Sequence, residues 1–185
     1  MAHLIPLGFR RGSDEQETRR ISRIVEAEDE DADGEIEPIR LVGLESRTRV
    51  TTAFGEVPAH LLRVNDSVRS ADGRFLKIRK IDVLQFDAQF LRMTAEAYPV
   101  RIGAGALRTG VPARDIYLAP EQEIVASTGG FASKVLPARD LLSRPRVMRE
   151  PVDQVAYFRL DLGAAATILA EKTPIPIPAP KSTRA

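Results

Sequence analysis

Between Ile39 and Glu171 the chain is a series of short β-prone runs separated by Gly, Pro, Asn and Asp, and this texture constrains the fold more than any other feature. The runs read RTRVTT, SVRS, FLKIRKIDVLQF, YPVRI, DIYLA, EIVAS and VAYFRL. They are rich in β-branched and aromatic residues, and the apolar/polar alternation through Arg49-Val50-Thr51-Thr52 is that of a half-buried strand. Helical periodicity is weak, apart from a turn at PAHLLR and another at PARDLLS. The pattern predicts an all-β domain of many short strands. Residues 43–68 should open it as two strands meeting at Gly55, with an Asn65-Asp66 bend into a third.

The flanks differ in character. Residues 14–28 place Ile21, Ile24 and Val25 at helical spacing behind Ser13 as N-cap, with Asp14, Glu15 and Glu17 in the first turn. A short N-terminal helix is therefore expected in an acidic, partly helical or disordered arm over residues 1–38. Residues 1–37 hold five Lys/Arg against eleven Asp/Glu, a net of −6, which leaves +7 on the rest of a chain whose total is +1. At the other end Pro174, Pro176, Pro178 and Pro180 alternate through TPIPIPAP. That spacing favours polyproline II, so residues 174–185 are expected to be a disordered tail outside any ladder, with the β-domain at 39–173.

A length of 185 residues fits one domain with tails. The absence of cysteine removes disulfides, a thiolate nucleophile and Cys-type zinc sites. No apolar run approaches the ~18 residues that span a bilayer. The opening MAHLIPLGFRR has its charges after its apolar patch, the reverse of a secretory signal. A soluble, cytoplasmic chain is the default expectation.

Few motifs carry chemistry of their own. Asp29, Asp31, Asp33, Gly34 and Ile36 match the start of an EF-hand calcium loop, but the position that should supply a bidentate Glu is Arg40. An acidic linker is the expected reading, with these three aspartates as weak metal candidates. Arg139, Arg144, Arg146 and Arg149 cluster in sequence without interleaved aromatics, so nucleic-acid binding is not expected. RIGAGALRTG lacks the glycine spacing of a phosphate loop. The two histidines, His3 and His60, have no partner that would make a metal site or a base. No cofactor is expected.

The ordered series of motifs is more informative. Thr48, Val50, Thr52, Gly55, Val57, Pro58, Leu62, Asp66 and Val68 fall in register with a Gly-Thr-x-Ile-x-Thr, Pro-Val-x-x-Leu-x-x-Gly-Asp-x-Val pattern, followed by a turn at Asp72-Gly73. Pro99, Val100, Arg101, Ile102, Gly105, Ala106, Leu107, Gly110, Pro112, Arg114, Asp115 and Pro120 continue the match, and ILAEK closes it. Over residues 41–173 the chain resembles the bacterial Hint domains, the hedgehog/intein-type family of self-cleaving and self-splicing proteins. The resemblance implies long curved strands paired around a pseudo-twofold.

It also implies where the chemistry should sit. In the family a Cys or hydroxyl residue at the first position attacks the carbonyl just before it, and a histidine protonates the departing amide nitrogen. The register puts Gly43 at the first position, Ala119 at the hydroxyl residue of the Thr-x-x-His motif and Gln122 at its histidine. YFRLDLGAAATILAE lacks the later histidine as well. The expected function is thus a catalytically inactive Hint-like domain acting as a protein-interaction or structural module, with vestigial positions Gly43, Ala119 and Gln122. Its partner would be a protein, and its cleft would hold a peptide, with residues 37–43 or the TPIPIPAP tail as internal occupants. The alternative is self-processing through an unconventional nucleophile, Ser46 or Thr48.

Overall fold

The computed structural model describes residues 40–127 and 133–180. The N-terminal arm, its expected helix and Asp29, Asp31 and Asp33 lie outside the described residues, as does the end of the tail from residue 181. The unit described here begins at Arg40.

The chain opens with β1 (Leu44–Glu45), β2 (Arg49–Thr52) and β3 (Gly55–Pro58). β2 and β3 form the expected hairpin, closed at Thr52 opposite Gly55, whose φ of +109° is accessible to glycine alone at little cost. Asn65, at φ +74°, makes the expected bend into β4 (Ser67–Arg69). β5 (Phe75–Lys77) and β6 (Lys80–Phe86) follow; the long run FLKIRKIDVLQF divides at buried Ile78. A six-residue helix, α1 (Ala88–Met93), is then capped by Asp87, whose carboxylate accepts from the Phe90 amide at 2.8 Å. The strand-like texture of the sequence does not announce this helix.

The second half supplies β7 (Val100–Ile102), β8 (Ile116–Leu118), β9 (Glu123–Ser127), β10 (Ser133–Pro137) and β11 (Val147–Arg149). It ends with β12 (Val155–Asp161), β13 (Ala166–Ala170) and β14 (Thr173–Ile177). One six-stranded sheet has the order β11-β7-β8-β1-β12-β6. A second runs β14-β13-β2-β4-β5 with β3 added to β2, and β9 pairs with β10 alone. The strand pairings among the described residues are antiparallel, so the fold is all-β as expected. The main core draws Leu44, Val50, Ile116, Ile124, Ile168 and Ile175 from all three sheets. A smaller cluster gathers Leu91, Ala97, Ala119, Val155 and Tyr157 beneath α1.

The tail requires a correction. Pro174, Pro176 and their neighbours are not a disordered extension: Thr173–Ile177 is a strand, in register with β13 from Ala170 opposite Thr173 to Ala166 opposite Ile177. The proline spacing that argued against a ladder permits one. In an antiparallel hairpin with a two-residue loop, alternate residues point their amides at the partner. Thr173, Ile175 and Ile177 take those positions and are buried, so both prolines direct their missing N–H groups away from β13. β14 is an edge strand, where this costs no ladder bond. The loop, Glu171-Lys172, has both residues at positive φ (+47° and +63°), the backbone such a turn demands.

Candidate functional site

Gly43 precedes β1, while Ala119 and Gln122 lie in the turn between β8 and β9. The fold brings the three together. The Ala119 amide donates to the Gly43 carbonyl at 2.9 Å, and the Gln122 amide donates to the Ala119 carbonyl at 3.0 Å. The decisive contact is made by a side chain: the Gly43 N–H donates to Gln122 Oε1 at 3.0 Å, in a buried environment. Gln122 therefore abuts the nitrogen of the Val42–Gly43 peptide bond.

The partners of Gln122 fix the orientation of its amide. Its oxygen faces an N–H, and its Nε2 donates to two carbonyls, Glu123 at 3.1 Å and Pro176 at 3.0 Å. Pro176 presents that carbonyl on the outer edge of β14, the side the proline spacing leaves unpaired with β13. One buried side chain thus ties the segment before β1 to the last strand. Gln122→Ala would strand a buried N–H and two part-buried carbonyls, and is expected to cost about 2–4 kcal/mol. Urea denaturation would read this as a lowered midpoint with an unchanged slope; an unchanged midpoint would remove the bridging role.

Residues 40–43 lie along the same turn. The Glu121 amide donates to the Leu41 carbonyl at 3.0 Å, which extends the β1–β8 pairing past Gly43. Leu41 packs beside Tyr157 in the smaller cluster, and Glu121 draws Arg139, with Arg40 at 3.5 Å. Leu41, Gly43 and Pro176 therefore all bond to the turn that carries Gln122.

There is no room at Gly43 for a side chain. Its φ is +135°, and a Cβ would stand 3.0 Å from the Phe158 carbonyl oxygen and 3.2 Å from Tyr157 Cβ. Tyr157 itself is fixed by a 2.7 Å bond from its hydroxyl to the Ala97 carbonyl, and burial pushes that hydroxyl well above its usual range.

The hydroxyls considered as substitutes are engaged elsewhere. Thr48 Oγ1 donates to the Tyr117 carbonyl at 2.6 Å and accepts from the Tyr117 amide at 2.9 Å. Ser46 Oγ donates at 2.7 Å to Glu45, a buried carboxylate that also binds the Arg47 amide and guanidinium. Arg47 in turn stacks 3.9 Å above the Tyr117 ring. Sequence reasoning misses this Glu45–Arg47–Tyr117 cluster.

The remaining candidates disperse. His60 is exposed in a 3₁₀ turn, Ala59–Leu61, with Nδ1 2.8 Å from the Ser46 carbonyl. Arg139 pairs with Glu121, Arg144 donates to the Ser127 carbonyl and Arg149 to the Glu96 carbonyl, so these three are committed to different places. Among the described residues no group of three or more His, Asp or Glu is placed to hold a metal, and no helix is long and apolar enough to cross a membrane.

Residues 42–175 match the family model of the Hint domain. The chain belongs to the Hint domain family. Solved structures that the chain matches include a splice inactive variant of the AceL NrdHF class 3 split intein, at 15% identity and a TM-score of 0.49 over 75% of this chain and 99% of that one. The MchDnaB-1 intein follows at 14% identity and a TM-score of 0.47, over 71% and 98%. An intein-like domain from Clostridium thermocellum aligns at 12% identity and a TM-score of 0.43, over 74% and 97%. No curated protein sequence matches the chain. The Hint domain boundary at residue 42 falls next to Gly43, and its end at 175 falls inside β14.

Proposed function

We propose that this Hint domain does not process itself and serves as a protein-interaction or structural module that retains the segment entering at Arg40. The contact between Gly43 N–H and Gln122 Oε1 carries this reading. In a self-cleaving Hint domain the group at that nitrogen has to deliver a proton as the peptide bond breaks. A glutamine amide does not titrate in water and here accepts a hydrogen bond from the nitrogen, so it stabilises the intact peptide. Gly43 supplies no nucleophile, Ala119 no hydroxyl, and the hydroxyls of Thr48 and Ser46 are held by Tyr117 and Glu45. Losing an acid/base group costs about 10²–10⁴-fold in rate; losing the nucleophile closes the acyl-shift route. The binding role rests on what remains, an all-β scaffold whose cleft positions carry no reactive side chain.

Intact-mass measurement after incubation with a thiol, and separately with hydroxylamine, tests the proposal. A single species at 20.4 kDa is the expected result. A break at the Val42–Gly43 bond would overturn it, and a break before Ser46 or Thr48 would establish the alternative nucleophile.

A further inference from the structure

One corner of the second sheet departs from the polar outer face that an antiparallel sheet ordinarily shows to water. β4 and β5 turn Val68 and Leu76 inward, Val68 fully buried and Leu76 against the main core. Their alternate residues, Ser67, Arg69, Phe75 and Lys77, therefore share the outer face. The register sets Arg69 opposite Phe75 and Ser67 opposite Lys77. Phe75 is 53% exposed there.

Two more apolar side chains join it. The Ala53 amide donates to the Ser67 carbonyl at 3.0 Å, and the next residue, at the apex of the β2–β3 hairpin, is Phe54, 95% exposed. Asn65 is bonded to β5 twice, its amide to the Ile78 carbonyl and its carbonyl to Lys77 Nζ, both at 2.8 Å, and the residue before it is Val64, 50% exposed. At about 3.3 Å per residue and 4.8 Å per strand, the three fall within about 15 Å of one another. Cations accompany them. Arg63, Arg69 and Lys77 are exposed, and among the described residues none of the three is in an ion pair. The acids of the neighbourhood are engaged: Asp66 accepts from the Arg63 amide at 2.8 Å, Glu56 from the Thr51 hydroxyl at 2.7 Å, and Asp72 pairs with Arg74 at 2.6 Å. From residue 38 onward the chain carries +7.

We propose that this corner docks on an anionic lipid surface, with Phe54, Val64 and Phe75 entering the bilayer interface and Arg63, Arg69 and Lys77 meeting its headgroups. Single exposed apolar residues are ordinary; three on adjoining turns and strands, with unpaired cations between them, are not. The cations call for a partner of negative charge, and the apolar groups choose among such partners. A ring that stacks on a nucleic-acid base rests its other face on the protein, whereas Phe54 is open on both faces and Val64 has no π-face. Side chains that stand off the body in this way suit a soft medium that closes around them. Burial of the three supplies the attraction, and the cations select the charge of the leaflet. The domain lies on such a surface without crossing it. Neither Gly43 nor Gln122 takes part, so the docking is independent of the fate of the Val42–Gly43 bond.

The chain has no tryptophan, so Phe54→Trp places a single indole at the hairpin apex. Mixed with phosphatidylcholine vesicles that contain phosphatidylserine, this full-length variant should shift its emission to the blue, and flotation should recover the wild-type chain with the vesicles. Phe54→Ser is expected to lower the partition coefficient about tenfold. Arg69→Gln and Lys77→Gln should each lower it about fivefold, an effect that disappears on pure phosphatidylcholine and in high salt. Met93→Ser, on α1 and 81% exposed, is the control and should leave it unchanged. Phe54→Ser and Met93→Ser lie at exposed positions and should keep the wild-type melting temperature, which separates docking from folding. No recovery with the phosphatidylserine vesicles, an indole emission that does not move, or a loss in Met93→Ser equal to that in Phe54→Ser would each overturn the proposal. Retention on a single-stranded oligonucleotide, or self-association, that Phe75→Ser abolishes while vesicles go unbound would overturn it in favour of that partner.

Discussion

Ile175→Ala lowers stability by about 2–4 kcal/mol, and Ile175→Asp leaves no folded population, when the domain is unfolded in urea. Ile175 is fully buried, sits opposite Ile168 in the β13–β14 ladder and belongs to the core that draws on every sheet. Replacing it with alanine removes three carbons from a packed interior; replacing it with aspartate buries a charge with no partner. Ala179→Asp, beyond the end of β14 and exposed, is the control and shifts stability by less than ~0.5 kcal/mol. A disordered proline-rich tail would give the two positions equal, negligible effects. That outcome would dismiss β14 and, with it, the Pro176 carbonyl as a partner of Gln122.

The second large effect concerns reversal of the site. Gly43→Cys combined with Gln122→His installs the nucleophile and the histidine that the family resemblance assigns to these positions. The double variant is nonetheless expected to be destabilised and uncleaved. At φ +135° a residue with a Cβ is strained by about 1–3 kcal/mol, and here the Cβ also meets the Phe158 carbonyl at 3.0 Å. Histidine at 122 cannot supply the acceptor for Gly43 and the donors for Pro176 and Glu123 that the amide supplies together. Thermal melting read beside intact mass separates the two consequences. A variant with the wild-type melting temperature that yields a thiol-dependent break at residue 42 would mean that the backbone still fits the chemistry and only side chains were lost.

How far these features can be read from sequence depends on their range. β2, β4, β7, β8, β9 and β12 are legible because each is a run whose neighbours along the chain already declare it. The register that aligns Gly43 with Gln122 relies on a series of motifs spread over the domain, and the two residues do meet. Helix α1 escapes because six residues carry too little periodicity; its only strong signal is Asp87 ahead of AQFLRM. β14 is misread when proline is weighed as a residue that breaks ladders, whereas its effect depends on which edge its nitrogen faces, and the partner strand decides that. The same limit hides Glu45 and Glu171: nothing local marks a glutamate as buried when the residues that bury it are distant in sequence.

That distance has a kinetic consequence for Gln122. Its bond to Gly43 spans 79 residues and its bond to Pro176 spans 54. Contacts of such separation are made only after the entropy of closing the intervening loops has been met by other interactions, so they belong to the last stage of folding. Every hairpin in the domain can form before them. The amide that holds Gly43 against the last strand thus acts after the local hairpins, and the peptide bond before Gly43 is gripped only in chains whose two halves have both arrived.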